Sequence, residues 1–358
     1  MNHTIIRDSR PFPYVLAPAP RGGGYREEDH WVWCGSVVRS HEDGRYHMFA
    51  SRWPRTLAMS PHWLFNSEVV RASAAAPEGP YRFDEVVLPR RGPESFDGMN
   101  THNPSVKFWN GTYYLYYMGA TYDDGPPPGP GEPVPHERYV ATWNNKRIGL
   151  ATSRSVFGPW TRRDTPLLLP RPGKWDRTAT TNPSAAILPD GTTYMIYKSR
   201  AGDGAPLQLG IAVAPRPDGP FERLTDGPAF DFGDPHLHVE DPFLWRQDGR
   251  FHVILKDDYK PRAGEPFAAP GGGLTGEWGA GVYATSDDCV AWTFHGKAYS
   301  RHVRWADGTV TEQPNVERPN LLLDDAGRPT HLFCATGTGP RPWQFDHTWA
   351  ACIPLIPR

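Results

Sequence analysis

Two carboxylates and a lysine of the kind used in acid–base chemistry lie in one short stretch, residues 236–258. Glu240 and Asp241 stand immediately before Pro242, and Lys256 closes the same stretch. A second glutamate, Glu317, has the same position relative to a proline further along the chain. Two carboxyl groups held apart can act as a general acid and a general base. These residues are therefore the first candidates for catalysis.

The elements around these residues predict a hairpin. Apolar runs at Phe243–Trp245 and Phe251–Leu255 read as strands, and Asp248-Gly249 between them is typical of a tight turn. In an antiparallel pair the start of the first strand lies beside the end of the second. We therefore expect the carboxylates before Pro242 to lie close to Lys256.

The hairpin pattern recurs five times, from about residues 31, 101, 180, 239 and 316. A second strand pair follows four of the hairpins, and the segment at Tyr14–Leu16 can supply the strand missing from the fifth. Five units of four strands predict an all-β fold, a five-bladed β-propeller with four-stranded antiparallel blades, as a single domain over residues 1–358. Each repeat has one anchor residue before its Pro (or Gly, in the first): Cys34, Asn103, Asn182, Asp241 and Arg318.

The innermost strands of a propeller begin at one rim of the central channel, so we expect the five anchors to converge there. Asn103, Asn182 and His102 offer donors and acceptors for hydroxyl groups. Trp33 offers a flat apolar face. Cations recur at the ends of the second strands: Arg52, Lys198 and Lys256. These cations would depress a carboxylate pKa, bind a carboxylate, sulfate or phosphate, or neutralise buried acids.

Further acids precede the anchors at a fixed distance. Asp97 and Asp176 lie six residues before theirs, as Glu28 and Glu312 do in two other repeats. They either cap the crossovers between blades or form a ring of rim carboxylates, which makes Asp97 and Asp176 further candidate acids. Glu317 likewise has a structural alternative, a salt bridge to an arginine of a neighbouring blade.

Metal binding receives limited support from the sequence. His236, His238 and Glu240 alternate, so in a strand they would share a face and could hold a metal ion. The alternative is that the histidines are hydrogen-bonded structural residues. The four cysteines lack zinc-like spacing and are expected to be free and buried. We predict no cofactor, with a structural or axial metal ion as the alternative.

The composition limits the classes of partner that we expect the protein to bind. A net charge of −2 over 358 residues gives no electrostatic case for nucleic acid or an anionic membrane surface. The N-terminal residues lack an apolar signal core, so the chain is expected to be cytoplasmic; the trimmed form of a secreted or periplasmic protein would look the same. Two inserts, Asp123–Pro135 and Pro261–Gly276, break the repeat and either wall a pocket or are decorative loops. The sequence does not indicate an oligomeric state.

Several stretches resemble the five-bladed propeller glycoside hydrolases of families 43, 32 and 117, including family-43-like bacterial proteins. The resemblance rests on HNPSVKFWNGTYYLYYMG from His102, IGLATSRSVFGPW from Ile148, VEDPF from Val239 and VERPNLLLDDAGRPTHLFCAT from Val316. It covers nearly the whole chain from Trp31 onward. The pattern is specific for the architecture but not for a substrate.

The resemblance implies a base Asp in the first blade, a second Asp that tunes a pKa, and a Glu acid in a Glu-x-Pro setting. Glu240 and Glu317 fit the Glu-x-Pro setting and Asp241 fits an Asp-Pro setting, but Cys34 stands where the base is expected. In family-117-like enzymes a His replaces the acid, which adds four candidates: His102, His236, His238 and His302.

The sequence therefore predicts an exo-acting glycoside hydrolase with a pocket at the propeller axis, cleaving a terminal sugar from a plant or algal oligosaccharide. Asp241 and Glu317 are the predicted catalytic pair, with Glu240 as the alternate acid. Predicted sugar-binding residues are Trp33, Arg52, His102, Asn103, Asn182, Lys198, Lys256 and Arg318. The alternatives are a glycoside phosphorylase, in which cations bind phosphate, and a non-catalytic carbohydrate-binding propeller.

Overall fold

A computed structural model describes residues 6–8, 10–122, 125–268 and 270–358. Strands form most of it. Two short strands come first, β1 (Ile6–Arg7) and β2 (Tyr14–Leu16). The first blade contains β3 (His30–Arg39), β4 (Tyr46–Pro54), β5 (Glu68–Ala74) and β6 (Arg82–Leu88). The second contains β7 (Asn100–Trp109), β8 (Thr112–Ala120), β9 (Arg147–Ser153) and β10 (Thr161–Arg162).

The remaining three blades follow the same order from axis to edge. Blade three contains β11 (Thr181–Ile187), β12 (Thr193–Ser199), β13 (Gln208–Ala214) and β14 (Glu222–Arg223). Blade four contains β15 (Val239–Gln247), β16 (Arg250–Asp257), β17 (Gly281–Ser286) and β18 (Thr293–Tyr299). A separate two-stranded sheet contains β19 (His302–Arg304) and β20 (Val310–Glu312). Blade five contains β21 (Glu317–Leu323), β22 (Pro329–Thr338) and β23 (His347–Pro357).

The N-terminal segment completes the sheets of the last two blades. β2 pairs antiparallel with β23, with Tyr14 opposite Pro357, and becomes the outer strand of blade five. β1 pairs parallel with β18 on the outside of blade four. The ring is thus closed by strands from both ends of the described chain. The predicted all-β, five-bladed propeller is confirmed.

Buried apolar side chains fill all five interfaces between blades. Val32 and Met48 of blade one pack in one cluster with Phe333 of blade five. The other four interfaces contain equivalent clusters, because alternate residues of a strand face opposite sides and each blade buries both of its faces. The propeller is therefore a continuous ring of packed sheets around one axis.

In the described residues, two short helices lie outside the blades. α1 (Met59–His62) follows β4, and α2 (His136–Asn144) begins directly after the first predicted insert and precedes β9. Each insert includes positions outside the described residues, Asp123 and Asp124 in the first and Ala269 in the second. Among the helices of the described residues, none has the length and apolar character needed to span a bilayer.

Candidate active site at the propeller axis

The five anchor residues form a ring around the central channel. Each one has a positive φ, between 52° and 60°, and each lies in a bulge where the innermost strand shifts register against its neighbour. In four blades the anchor precedes a proline, which makes this conformation still less favourable. Because the same bulge occurs in every blade, all five side chains line the channel.

The ring is a chain of polar contacts. Arg318 Nη1 lies 2.8 Å from Asp241 Oδ1, and the Cys34 thiol donates to Asn103 Oδ1 at 2.9 Å. The side-chain amides of Asn103 and Asn182 are 2.8 Å apart. A cavity of about 30 Å³ lies among these residues, which is room for water but not for a sugar ring. The ring therefore forms a polar floor.

The residues immediately before the anchors form the next layer towards the rim, and Glu240 and Glu317 meet there. Lys256 Nζ lies 2.5 Å from Glu317 Oε1 and 3.8 Å from Glu240 Oε2. The prediction that the carboxylates before Pro242 lie close to Lys256 holds for Glu240, which is directly opposite Lys256 in the β15–β16 ladder. Two glutamates from neighbouring blades thus share one ammonium group.

The surroundings of the two glutamates differ. Burial raises the pKa of Glu317 to about 7; Lys256 opposes this rise and the negative charge of Asp241 adds to it. Burial acts in the same direction on Glu240, but Lys198 and Lys256 outweigh it and lower the pKa of Glu240 to about 2. At near-neutral pH the pair therefore contains one carboxylate and one group able to hold a proton, the combination that acid–base catalysis needs.

Asp241 lies in the floor rather than beside the pair. Its side chain is 1% exposed and is held by Arg318, whose backbone N–H also faces Asp241 Oδ2 at 3.4 Å. Asp241 thus positions Arg318 and contributes charge beneath Glu317. The first-blade anchor, Cys34, is a neutral thiol, because burial raises its pKa to about 12.

The three predicted strand-end cations do not share a face. Lys198 Nζ reaches Glu240 Oε1 at 3.5 Å, and with Lys256 it occupies one register position. In blade one that position belongs to Ser51, since Trp33 is opposite Ser51. Arg52, one residue later, faces the other way and binds Glu27 and Glu68. Arg52 is thereby separated from the rim, for the physical reason that neighbouring strand residues alternate.

His102 and Trp33 occupy the same layer as the glutamates in blades two and one. His102 Nδ1 lies 2.8 Å from Ser67 Oγ, and Nε2 has no hydrogen-bond partner among the described residues. Burial, then the charges of Arg318, Lys146 and Lys198, lowers the pKa of His102 well below its usual value. A neutral imidazole suits hydroxyl binding better than proton donation.

One lysine and several aromatic rings that lie at this rim were not identified from the sequence. Lys146 is 2% exposed, and its Nζ lies 3.4 Å from the centre of the Trp143 ring. Trp278 and Trp343 each lie 5.1 Å from Lys256 Nζ. These residues come from the connections between the second and third strands of blades two, four and five, where no periodic pattern points to them. The chain contains 14 tryptophans, but this number does not say which of them reach the rim.

Asp97 and Asp176 lie away from the floor and are fully buried. Asp97 is bound by Arg91 at 2.7 Å and by the Tyr117 hydroxyl. Asp176 is bound by Arg171 and Arg223 at 2.9 and 2.8 Å. These contacts engage both carboxylates in ion pairs, with Arg91 and Arg171 belonging to the same connections between blades, and a catalytic role for either aspartate stays a prediction.

One group of possible metal ligands exists in the described part of the chain: His238, Glu240 and Asp258, with ligand atoms within 4.8 Å of one another. His236 is not among them and faces the Lys260 carbonyl, while His302 is exposed on β19. Lys256 and Lys260 lie 3.3 and 2.5 Å from Asp258. Because these ammonium groups already balance the carboxylates, the arrangement does not favour a metal, and the absence of a cofactor stays a prediction.

Several solved structures share this architecture. Zg3597, a family 117 glycoside hydrolase from Zobellia galactanivorans, is 17% identical with a TM-score of 0.62, and the alignment covers 97% of this chain and 91% of that one. The catalytic domain of a Coprinopsis cinerea GH62 α-L-arabinofuranosidase is 13% identical, with a TM-score of 0.57 and 98% of both chains covered. A thermostable family-43 glycoside hydrolase is 14% identical, with a TM-score of 0.55 and 92% and 91% covered.

The chain has the fold of the five-bladed propeller glycoside hydrolases. At these identities the similarity establishes the fold alone. No protein-family model matches the chain, and no curated protein does. Any assignment of activity therefore depends on the geometry at the axis.

Proposed function

We propose that the protein is a glycoside hydrolase that removes a terminal sugar from an oligosaccharide at the propeller axis. One observation supports this proposal above all others. Glu240 and Glu317 come from neighbouring blades, both approach the Lys256 ammonium group, and have pKa values shifted in opposite directions. The shared fold with known glycoside hydrolases adds support.

In this mechanism Glu317 is the general acid. It donates its proton to the glycosidic oxygen as the bond to the leaving group breaks. Glu240, ionised at working pH, either activates water or attacks the sugar carbon. Lys256 holds both carboxyl groups in place. Asp241, predicted above as a member of the pair, acts as a positioning residue, and its charge adds to the effect of burial in raising the pKa of Glu317.

Burial of the pair favours exo action on a terminal unit. The side chains of Glu240 and Glu317 are 11% and 3% exposed, which is typical of a catalytic pair at the bottom of a pocket rather than in an open groove. Trp343 is 47% exposed and its ring centre lies 6.5 Å from that of Trp33, which is 3% exposed, so Trp343 is the ring that is placed to stack on a sugar. Entry of a sugar would require the Trp343 ring to move. A plant or algal oligosaccharide is the substrate class we propose.

A substrate screen tests the proposal. Aryl glycosides and plant and algal oligosaccharides are incubated with the wild type, Glu317→Gln and Glu240→Gln. Glu312→Gln is the matched control, because Glu312 also forms an ion pair but lies away from the axis with Arg301. We expect at least one substrate to be cleaved, with a loss of about 10²-fold or more in both site variants and little change in the control.

Other outcomes identify the alternatives. Turnover that requires inorganic phosphate would replace the hydrolase with a phosphorylase. Sugar binding without turnover, seen as a rise in Tm, would favour a carbohydrate-binding propeller. Cleavage that persists in both glutamate variants would contradict the assignment of the pair.

A further inference from the structure

Three cations, from blades two, three and five, gather around the axis beside the glutamate pair. Lys198 Nζ and Arg318 Nη2 lie 2.9 and 3.0 Å from the side-chain amide of Asn182, whose oxygen is best turned towards them. Lys146 belongs to the same rim, because its carbonyl accepts the backbone N–H of Thr180 at 3.2 Å. Positive charge therefore concentrates on one side of the site.

Lys146 differs from the other two cations in having no anionic partner. Lys198 faces Glu240 and Arg318 binds Asp241, whereas Lys146 Nζ forms no hydrogen bond or ion pair with any residue that the structure describes. It lies instead over Trp143, with the Trp63 ring centre 5.5 Å away. A buried ammonium group without an anion is unfavourable.

The charges around Lys146 also disfavour its positively charged form. Burial, followed by the charges of Lys198, Arg318 and Arg200, lowers the pKa of Lys146 well below its usual value. Only Glu240 acts in the opposite direction among the main causes. An added negative charge at this place would be stabilised by several cations at once.

We propose that Lys146, together with Lys198 and Arg318, binds an anionic group carried by the substrate sugar, a carboxylate or a sulfate. This inference rests on the proposed hydrolase function and specifies its substrate class. The Trp63 ring continues from Lys146 to His102, whose ring centre is 5.4 Å from it. A sugar held between Trp63 and the glutamates would direct a charged substituent towards Lys146.

A neutral sugar would bring no negative charge to balance the cluster of Lys146, Lys198 and Arg318. A hydroxyl group can accept a hydrogen bond from Nζ, but it brings no negative charge into the cluster. Carboxylate and sulfate oxygens accept charge-assisted hydrogen bonds, which are shorter and stronger than neutral ones. A uronic acid and a sulfated sugar supply this chemistry equally well, so the experiment must separate them.

Binding to paired ligands tests the inference. Methyl glycosides of uronic acids, their neutral parent sugars and the matching 6-sulfates are titrated into Glu317→Gln protein by calorimetry, so that cleavage does not interfere. We expect an acidic member of at least one pair to bind about tenfold or more tightly than its neutral parent. Whether the carboxylate or the sulfate shows the gain identifies the source of the charge.

Lys146→Met, made in the same background, removes the charge and keeps the length of the side chain. It should remove the acidic preference and leave binding of the neutral parent within about twofold. Lys107→Met is the matched control. Lys107 is another lysine over an aromatic ring, 4.3 Å from Phe243, but it lies five residues beyond His102 on β7, about 16 Å along the strand. It should leave both affinities unchanged.

Equal affinity for acidic and neutral sugars, or equal losses in Lys146→Met for both, would overturn the inference. So would turnover that depends on free phosphate, because the cations would then serve the phosphate. The hydrolase proposal fails separately. If acidic sugars bind preferentially but the wild type cleaves none of them, the hydrolase proposal is refuted and the anion site stands. If the protein cleaves only neutral sugars, and does so through Glu317, the anion site is refuted and the hydrolase proposal stands.

Discussion

The chemistry of single residues at the axis depends on how two glutamates share one lysine. Lys256 is fully buried and touches Glu317, Glu240 and Asp258. Glu240 has Lys198 as a further cation, whereas Glu317 has the charge of Asp241 nearby. Small differences in neighbours thus separate two chemically identical groups into a carboxylate and a proton donor.

These shifts predict the pH dependence of the reaction. Glu240 must be ionised, with a pKa of about 2, and Glu317 must be protonated, with a pKa of about 7. We expect kcat/KM to be level in mildly acidic solution and to fall about tenfold per pH unit above pH 7. A pH–rate profile of the wild type and Glu317→Gln measures this. An optimum above pH 8, or the same alkaline fall in the variant, would be inconsistent with the assignment.

Individual strands and their bulges determine which residues reach the axis. The repeat and its Asn-Pro and Asp-Pro sequences were sufficient to predict that five anchors converge. They were not sufficient to predict that each anchor lies in a bulge with positive φ. The bulge turns the anchor into the floor and leaves the preceding residue at the rim. For this reason the predicted pair of Asp241 and Glu317 changes to Glu240 and Glu317 in the proposed mechanism.

Two further features could not be predicted from the sequence, for physical reasons. Arg52 was grouped with Lys198 and Lys256 because it ends the same strand, yet a shift of one residue turns it to the opposite face. Lys146 lies between α2 and β9, where no repeat defines the register. A hydrophobic pattern predicts strands well but does not specify where a connection places a single charge.

The bulge at Asn182 leads to a prediction about stability. Asn182 has a φ of 53°, which glycine adopts freely and a β-branched residue does not. Asn182→Gly and Asn182→Val both lose the amide contacts, so their comparison isolates the backbone. We expect the valine variant to be less stable than the glycine variant by about 1 kcal/mol or more in the free energy of unfolding, measured by urea denaturation. Equal stabilities would mean that the bulge relaxes without cost.

The closure of the whole ring depends on the N-terminal strand. β2 completes blade five, and Tyr14 packs inwards with 5% exposure while Val15 faces outwards with 39%. Tyr14 belongs to the cluster between blades four and five. The sequence predicted this strand from a missing repeat element, since only the fifth unit lacked its outer strand.

Paired substitutions in this strand test its contribution. Tyr14→Ala removes a large buried ring, so we expect a loss of about 3 kcal/mol in the free energy of unfolding. Val15→Ala, on the same strand, should cost about 0.5 kcal/mol or less. Chemical denaturation of both variants gives the comparison. Similar effects for the two would indicate that β2 adds little to the stability of the ring.

The central claim is that Glu317 is the acid and Glu240 its partner in cleaving a glycosidic bond, and leaving-group dependence tests it most directly. On the sugar identified by the screen, kcat/KM is measured for aryl glycosides with progressively poorer leaving groups. We predict that Glu317→Gln loses about 10²-fold or more on poor leaving groups and far less on the best, because only the former need a proton. Glu240→Gln should lose a similar factor in kcat/KM on every aryl glycoside of the series. A loss in Glu317→Gln that does not depend on the leaving group would contradict the account.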